Sequence, residues 1–388
     1  MLAQSTTLQG LFKYFDLFSG GSLTQSAIFA LGISPYITAS IIMQVLSMSV
    51  PYLEELNKEG DYGRKVINQY TRYLAIGLSI FYSFSYATAL QYKGILIAGL
   101  GYKLLYILTL TTGATFVMWL AEQISLFGIG NGSSMLIFAG IVAGFPHKIW
   151  QTYLSVAQGN ISIFAALLLL AVFIAIAGCI VYLEKGERKI PVQYARRVVR
   201  QRVYGGQSTY IPFKINTAGV MPVIFASSLL NAPFLVTGII VNYYPHLKWV
   251  QELFMSGGLF YSLLEFGLII FFTYFYTAIM FNPTDLADNM KKSGGFIPGI
   301  RPGKQTAKYF DFILNRIGLI GALYLGILAV SPSLLRLFIN VPFILSGTSL
   351  LIMVGVALET SNQIESYLIE NRYEGLLSSR KSRSRSRT

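Results

Sequence analysis

The sequence predicts an all-α polytopic membrane protein of about nine transmembrane helices, arranged in two inverted, pseudosymmetric halves. Three observations carry that expectation. Of 388 residues, 54% are hydrophobic and 12% charged, against roughly 25% charged in an ordinary soluble domain. The apolar residues gather in uncharged runs close to the ~20 residues that cross a bilayer as a helix. A Gly-x-x-Pro-x-Ile-x-Ala-Ser pattern occurs twice, in GISPYITAS from Gly32 and GVMPVIFAS from Gly219, 187 residues apart.

Taken in order, a segment at 1–25 precedes the first apolar run. The runs lie at about 26–50, 73–90, 104–121, 128–146, 161–183, 215–241, 258–281, 317–335 and 338–358. The fourth opens on the glycine-rich, polar GIGNGSS, and a short turn carrying Arg336 separates the last two. These spans divide into an N-terminal half at 26–160, with four, and a C-terminal half at 161–358, with five. Residues 359–388 form a basic tail whose end, SSRKSRSRSRT, is too polar to bury a core and is expected to be disordered. The single cysteine, Cys179, lies in an apolar run and reads as a buried, inert thiol.

Short cytoplasmic loops retain lysine and arginine. If the segment after the first span is cytoplasmic, that side receives 24 of the 30 basic residues: four from Lys58 to Arg72, eight from Lys185 to Lys214, six from Lys291 to Arg316 and six from Arg372 to Arg387. The C-terminus is then cytoplasmic and the N-terminus outside. Two loops on the basic side, 184–214 and 282–316, are too long to be mere connections. They read either as an enlarged topological signal attracted to anionic lipid or as a docking surface for an acidic partner or RNA phosphates. Pro298, Gly299, Pro302 and Gly303 would hold Arg301 at an exposed turn tip.

Catalytic chemistry has little to stand on. His147 and His246 fall in separate loops with few carboxylates near, which argues against a metal site. GIRPGKQT has Gln305 where a phosphate loop needs Ser or Thr, and GIGNGSS lacks the third glycine of a dinucleotide fingerprint. No metal, cofactor or enzymatic activity is expected. Glu265 is the clearest acidic residue within a span, and no cluster of ionisable groups marks a midplane, as an ion-coupled pump requires. The two glycine–proline copies, in spans running in opposite directions, mark an inverted repeat whose bent helices flank a transport pathway. A protein channel with a greasy constriction and a secondary transporter of small solutes both fit an inverted repeat; the transporter needs polar binding groups at the midplane.

Over essentially the whole chain, FSGGSLTQSAIFALGISPYITASIIMQ, GDYGRKVINQYTRY, MWLAEQISLFGIGNGSS, AGVMPVIFASS, NPTDLADNMKKSGGFIPGIRPGKQTAKY and VPFILSGTSLLI resemble the SecY family. The resemblance implies a passive channel that translocates unfolded secretory polypeptides and releases membrane helices sideways through a lateral gate. It implies a pore ring at Ile33, Ile37, Ser133, Ile137, Ile224 and Ile352, in which Ser133 departs from the usual bulky aliphatic and Met135 is a neighbour able to complete the seal. The gate would include Pro35, Gln44, Pro222 and Ser227; a plug at about Thr6 to Leu23 would use Leu11, Phe12, Phe15 and Phe18. Docking would involve Arg196, Arg197, Arg200, Arg202, Arg301 and Lys304, although Gln201 interrupts the family's paired arginines. The implied partners are SecE-like and SecG-like small subunits, a SecA-like ATPase, the translating ribosome through its RNA and proteins, signal sequences and nascent chains, and membrane lipid. The implied location is the cytoplasmic (inner) membrane, with the plastid thylakoid a lesser alternative. The family has ten spans, and the first has no counterpart before Met1, from a misassigned start, an incomplete chain or a natural reduced form.

Overall fold

The computed structural model describes residues 27–92, 99–159, 162–194, 197–199, 202–204, 208–230, 246, 258–338 and 347–385, with the side chains of 89, 92, 197–199, 202–204, 208, 334–338 and 371–385 excepted. The proposed plug residues Leu11, Phe12, Phe15 and Phe18 lie outside the described residues, as do Arg196 and Arg200. Described residues within Met1–Ile149 and Ile352–Thr388 form one compact unit, and those within Trp150–Phe234 and Lys248–Leu351 a second.

In the first unit, α1 (Ser34–Ser49) turns by 97° into the short α2 (Pro51–Lys58). Both pack on α3 (Asp61–Tyr92), which pairs with α4 (Leu100–Phe127). Ala39, Ala75 and Met118 form a buried seam between α1, α3 and α4, with Tyr36, Leu74 and Leu78 against it. A Cβ at Gly113 would come within 2.1 Å of the Ile28 carbonyl oxygen, so the chain entering α1 crosses α4 where only glycine fits. A tight turn joins α4 to α5 (Gly132–Ala157). Asn131 caps α5, its Oδ1 accepting from the backbone N–H groups of Ser133 and Ser134 at 3.0 and 3.4 Å. GIGNGSS is therefore a helix entry: Gly130 supplies φ +86° and Gly132, whose Cβ would sit 1.9 Å from the Ala121 oxygen, lets α4 and α5 meet.

The second unit begins with α6 (Ile163–Glu184), a long apolar helix almost wholly uncovered by protein. Cys179 is exposed on it, which corrects the expectation of burial. In a bilayer an apolar side chain needs no protein cover, so an apolar run does not imply an interior position. The strands β1 (Glu187–Tyr194), β2 (Arg197–Val199), β3 (Arg202–Tyr204) and β4 (Ser208–Lys214) follow, then α7 (Met221–Leu230), α8 (Leu259–Met280), α9 (Pro283–Lys292), β5 (Gly295–Phe296) and α10 (Lys304–Phe338). The last helix, α11 (Gly347–Arg385), starts against α10, with the Gly347 Cβ position 2.1 Å from the Ala329 oxygen.

The two long segments expected as separate loops are one folded body. β1 pairs antiparallel with β4, from Glu187 opposite Lys214 to Gln193 opposite Ser208. On its other edge β1 pairs with β5, Gln193 opposite Phe296 and Tyr194 opposite Gly295. Ile190, Val192 and Phe213 from the sheet share a core with Ala287 and Met290 of α9 and with Phe310, Ile313, Leu314 and Ile317 of α10. Alternating Ile190 and Val192 point to one face of β1, the period-two pattern that a 31-residue basic stretch hid. A sheet with open edges has no place in hydrocarbon, so this body lies outside the membrane.

Among the described residues, four helices are long and apolar enough to cross a membrane, or five with the bent α1–α2 pair as one span. Parts of the expected spans at 231–241 and 339–346 lie outside the described residues. Two boundaries differ from expectation. Arg336 belongs to α10 and not to a turn, and the basic tail continues α11 to Arg385. Arginine and lysine are good helix formers, and extending an existing helix avoids the cost of nucleation.

Candidate functional site

The repeated stretch starts a helix both times, at the same place. Gly32 and Gly219 adopt φ +53° and +63°, left-handed conformations open to glycine. Ile33 and Val220 follow, and their carbonyls accept the first helical hydrogen bonds: Tyr36 and Ile37 N–H on Ile33 at 3.1 and 3.1 Å, Val223 and Ile224 N–H on Val220 at 3.1 and 3.3 Å. Pro35 and Pro222 occupy the second position of their helices. There the missing N–H would have had no intrahelical partner. The expectation of proline bending a helix from within is thereby corrected: the glycine makes the corner and the proline stands in the first turn.

This entry places Ile37 and Ile224 one residue past the first turn of α1 and α7, 5% and 2% exposed. Ile33 and Ile37 stand one turn apart, and Ile33 is 2% exposed. Ser133 and Ile137 have the same spacing on α5; Ile137 and Ile352 are fully buried. Five of the six ring positions, all but Ile224, belong to the first unit. Ser133 is half-buried, and its hydroxyl donates to Asn131 Oδ1 at 2.6 Å, turned back onto the helix cap. The Met135 sulfur accepts from the Thr360 hydroxyl at 3.5 Å, toward α11.

Of the gate residues, Pro35, Pro222 and Ser227 are buried, the Ser227 hydroxyl donating to the Ile224 carbonyl at 2.9 Å. Gln44 is half-buried with an Oε1 that has no hydrogen-bond partner. Arg301 is exposed between Gly299 and Gly303, at φ +83° and +100°, and the Thr306 hydroxyl fixes the turn by donating to the Arg301 carbonyl at 3.0 Å. Lys304 opens α10, exposed. Arg197 and Arg202 lie on β2 and β3.

One interaction escaped the sequence reading. Arg72 Nε donates to Glu122 Oε1 at 2.7 Å, tying α3 to α4 beside Tyr36. The signal was available in the charge pattern: Arg72 directly precedes the second apolar run and Glu122 directly follows the third.

Four long apolar helices, one of them almost bare of protein cover, a doubled glycine–proline helix entry and a folded basic body outside the bilayer define a polytopic α-helical membrane protein built on an internal repeat. The SecY family model matches residues 27–361. The protein translocase subunit SecY of Aquifex aeolicus is 46% identical over 372 residues, covering 94% of this chain and 86% of the relative. Its counterpart from Escherichia coli K12 is 44% identical over 377 residues, covering 95% and 84%. The chain belongs to the SecY family. Its fold is also that of a solved protein-conducting channel, at TM-score 0.66 and 20% identity over 93% of this chain and 90% of that one. Sec61 in the canine ribosome–channel complex from the endoplasmic reticulum is similar at TM-score 0.61 and 19% identity, covering 93% and 90%.

Proposed function

We propose that this chain is a passive protein-conducting channel, carrying unfolded secretory polypeptides across the membrane and releasing apolar helices sideways into it. The observation that supports this best is the twinned helix entry, which sets Ile37 and Ile224 at equivalent positions of two helices. Ile33, Ile37, Ile137, Ile224 and Ile352, with Ser133, form the constriction. An idle pore lined by aliphatic side chains excludes water, and an ion entering it would shed hydration with nothing in exchange. The Ser133 hydroxyl is occupied by Asn131, so one serine need not wet the ring. Pro35, Gln44, Pro222 and Ser227 border the lateral opening, and residues 6–23, with Leu11, Phe12, Phe15 and Phe18, act as the plug.

The energy comes from partners. The body formed by 184–214 and 282–316 faces the cytoplasm, as does the C-terminus, and receives a translating ribosome or a SecA-like ATPase through Arg196, Arg197, Arg200, Arg202, Arg301 and Lys304. SecE-like and SecG-like subunits complete the complex in the cytoplasmic membrane. The test is reconstitution: vesicles containing the purified chain with its small subunits, supplied with ribosomes synthesising a secretory protein. Protection of the product from added protease is the expected result; full digestion in vesicles that bind ribosomes contradicts the reading.

A further inference from the structure

The stretch between β4 and α7 is six residues, Ile215 to Val220, a bend and turn that belongs to neither element. It carries the left-handed Gly219, a natural hinge between the folded basic body and α7. Yet it is clamped from several sides. Ile215 N–H donates to the Gly186 carbonyl at 2.9 Å, at the base of the β1–β4 hairpin. A Cβ at Gly321 of α10 would lie 2.7 Å from the Ile215 oxygen, so the backbone rests directly on that helix. The Thr217 and Thr277 hydroxyls meet at 3.2 Å, which adds α8.

Asn216 sits at the centre, 3% exposed. Its Nδ2 donates to Glu184 Oε2, at the end of α6, at 2.8 Å, and to the Gly219 carbonyl at 3.0 Å. Two acceptors fix which end of the amide is the nitrogen. The buried Oδ1 is left without a partner. A buried asparagine with an unpaired oxygen is not explained by packing alone. Its amide is a strut across the hinge: it holds the glycine corner that starts α7 against the helix from which the hairpin springs. The first copy of the repeat has Phe29 at the aligned position, which can make no such bond, so the strut belongs to the second copy alone.

We propose that Asn216 and Glu184 are positioning residues that couple the basic body to α7, so that a load on the body turns the gate helix instead of being absorbed at Gly219. This rests on the reading above that the body receives the ribosome and that α7 borders the pore. The experiment uses the full chain with its small subunits in planar bilayers, and ribosomes as the probe, with affinity and ribosome-dependent conductance measured on the same preparations. Asn216→Ala and Glu184→Ala should bind ribosomes with unchanged affinity. Each should lose about tenfold or more of the ribosome-dependent opening, since a hydrogen bond to a charged group contributes about 1.5–3 kcal/mol. Glu184→Gln, whose amide oxygen still accepts from Asn216 but without the charge, should lose clearly less of the opening than Glu184→Ala. If Asn216→Ala fails to insert, the contrast between Glu184→Ala and Glu184→Gln decides. Opening equal to the parent in Glu184→Ala, or equal loss in Glu184→Gln, overturns the coupling. A parent that binds no ribosomes overturns the docking reading as well, and does so before any variant is compared.

Discussion

Replacing Gly219 isolates the cost of the glycine corner. A Cβ there would meet nothing within 4 Å, so Gly219→Ala introduces no clash, and its whole penalty comes from φ +63°. An L-residue in the left-handed region costs roughly 1–2 kcal/mol. If the corner is held, that strain is felt as destabilisation of about 2–4 °C in midpoint per kcal/mol for a domain of ~150–250 residues. If the corner is free, α7 shifts its start and the loss vanishes. Gly219→Asn should cost less than alanine, because asparagine tolerates the left-handed region better. The assay is loss of monodisperse protein on stepwise heating in detergent, read for the parent, alanine and asparagine variants side by side. Alanine indistinguishable from the parent, or asparagine worse than alanine, would refute the view that this glycine is needed for its backbone.

Three further outcomes are expected. Gly132→Ala puts a Cβ 1.9 Å from the Ala121 backbone oxygen, so it should part α4 from α5 and lower thermal stability more than Gly219→Ala does in the same heating assay. A double-mutant cycle on Arg72→Ala and Glu122→Ala should give a coupling of about 0.2–1 kcal/mol, because the Arg72 side chain is 47% exposed and solvent screens it; a coupling of zero would leave the 2.7 Å contact without consequence. Arg301→Glu should abolish translocation while leaving insertion and folding intact, and Arg196→Glu or Arg202→Glu should weaken docking in a strongly salt-dependent way, since exposed charges act over about 8 Å at physiological ionic strength; normal partner binding by all three would reduce the basic body to a topological signal.

What could be read in advance follows from which physical effects are local. Apolar runs and the charge imbalance revealed a membrane protein, because lipid selects composition directly. The repeat at Gly32 and Gly219 was visible as letters, but its meaning was misplaced: proline in an apolar run suggested an internal bend, while the left-handed glycine two residues ahead of each helix was the actual corner. The folded basic body was hidden for a different reason. Its core joins Ile190 and Val192 to Phe310 and Ile313, more than a hundred residues on, and β5 contributes only Gly295 and Phe296, too short to show a strand period. Cys179 went astray because apolar surroundings were equated with burial in protein. The Arg72–Glu122 contact spans 50 residues between consecutive helices, beyond any fixed helical spacing.

The central claim is that an aliphatic ring, anchored by the two equivalent helix entries, seals the idle channel. Conductance of Ile37→Asn combined with Ile224→Asn in a planar bilayer tests it most directly. Two amides in the constriction should hold water, raise resting ion conductance and relax the need for a strong signal sequence, while Ile37→Leu with Ile224→Leu, which keeps volume and apolar character, should be nearly silent. A double asparagine channel as ion-tight and as selective as the parent would contradict the assignment of Ile37 and Ile224 to the seal.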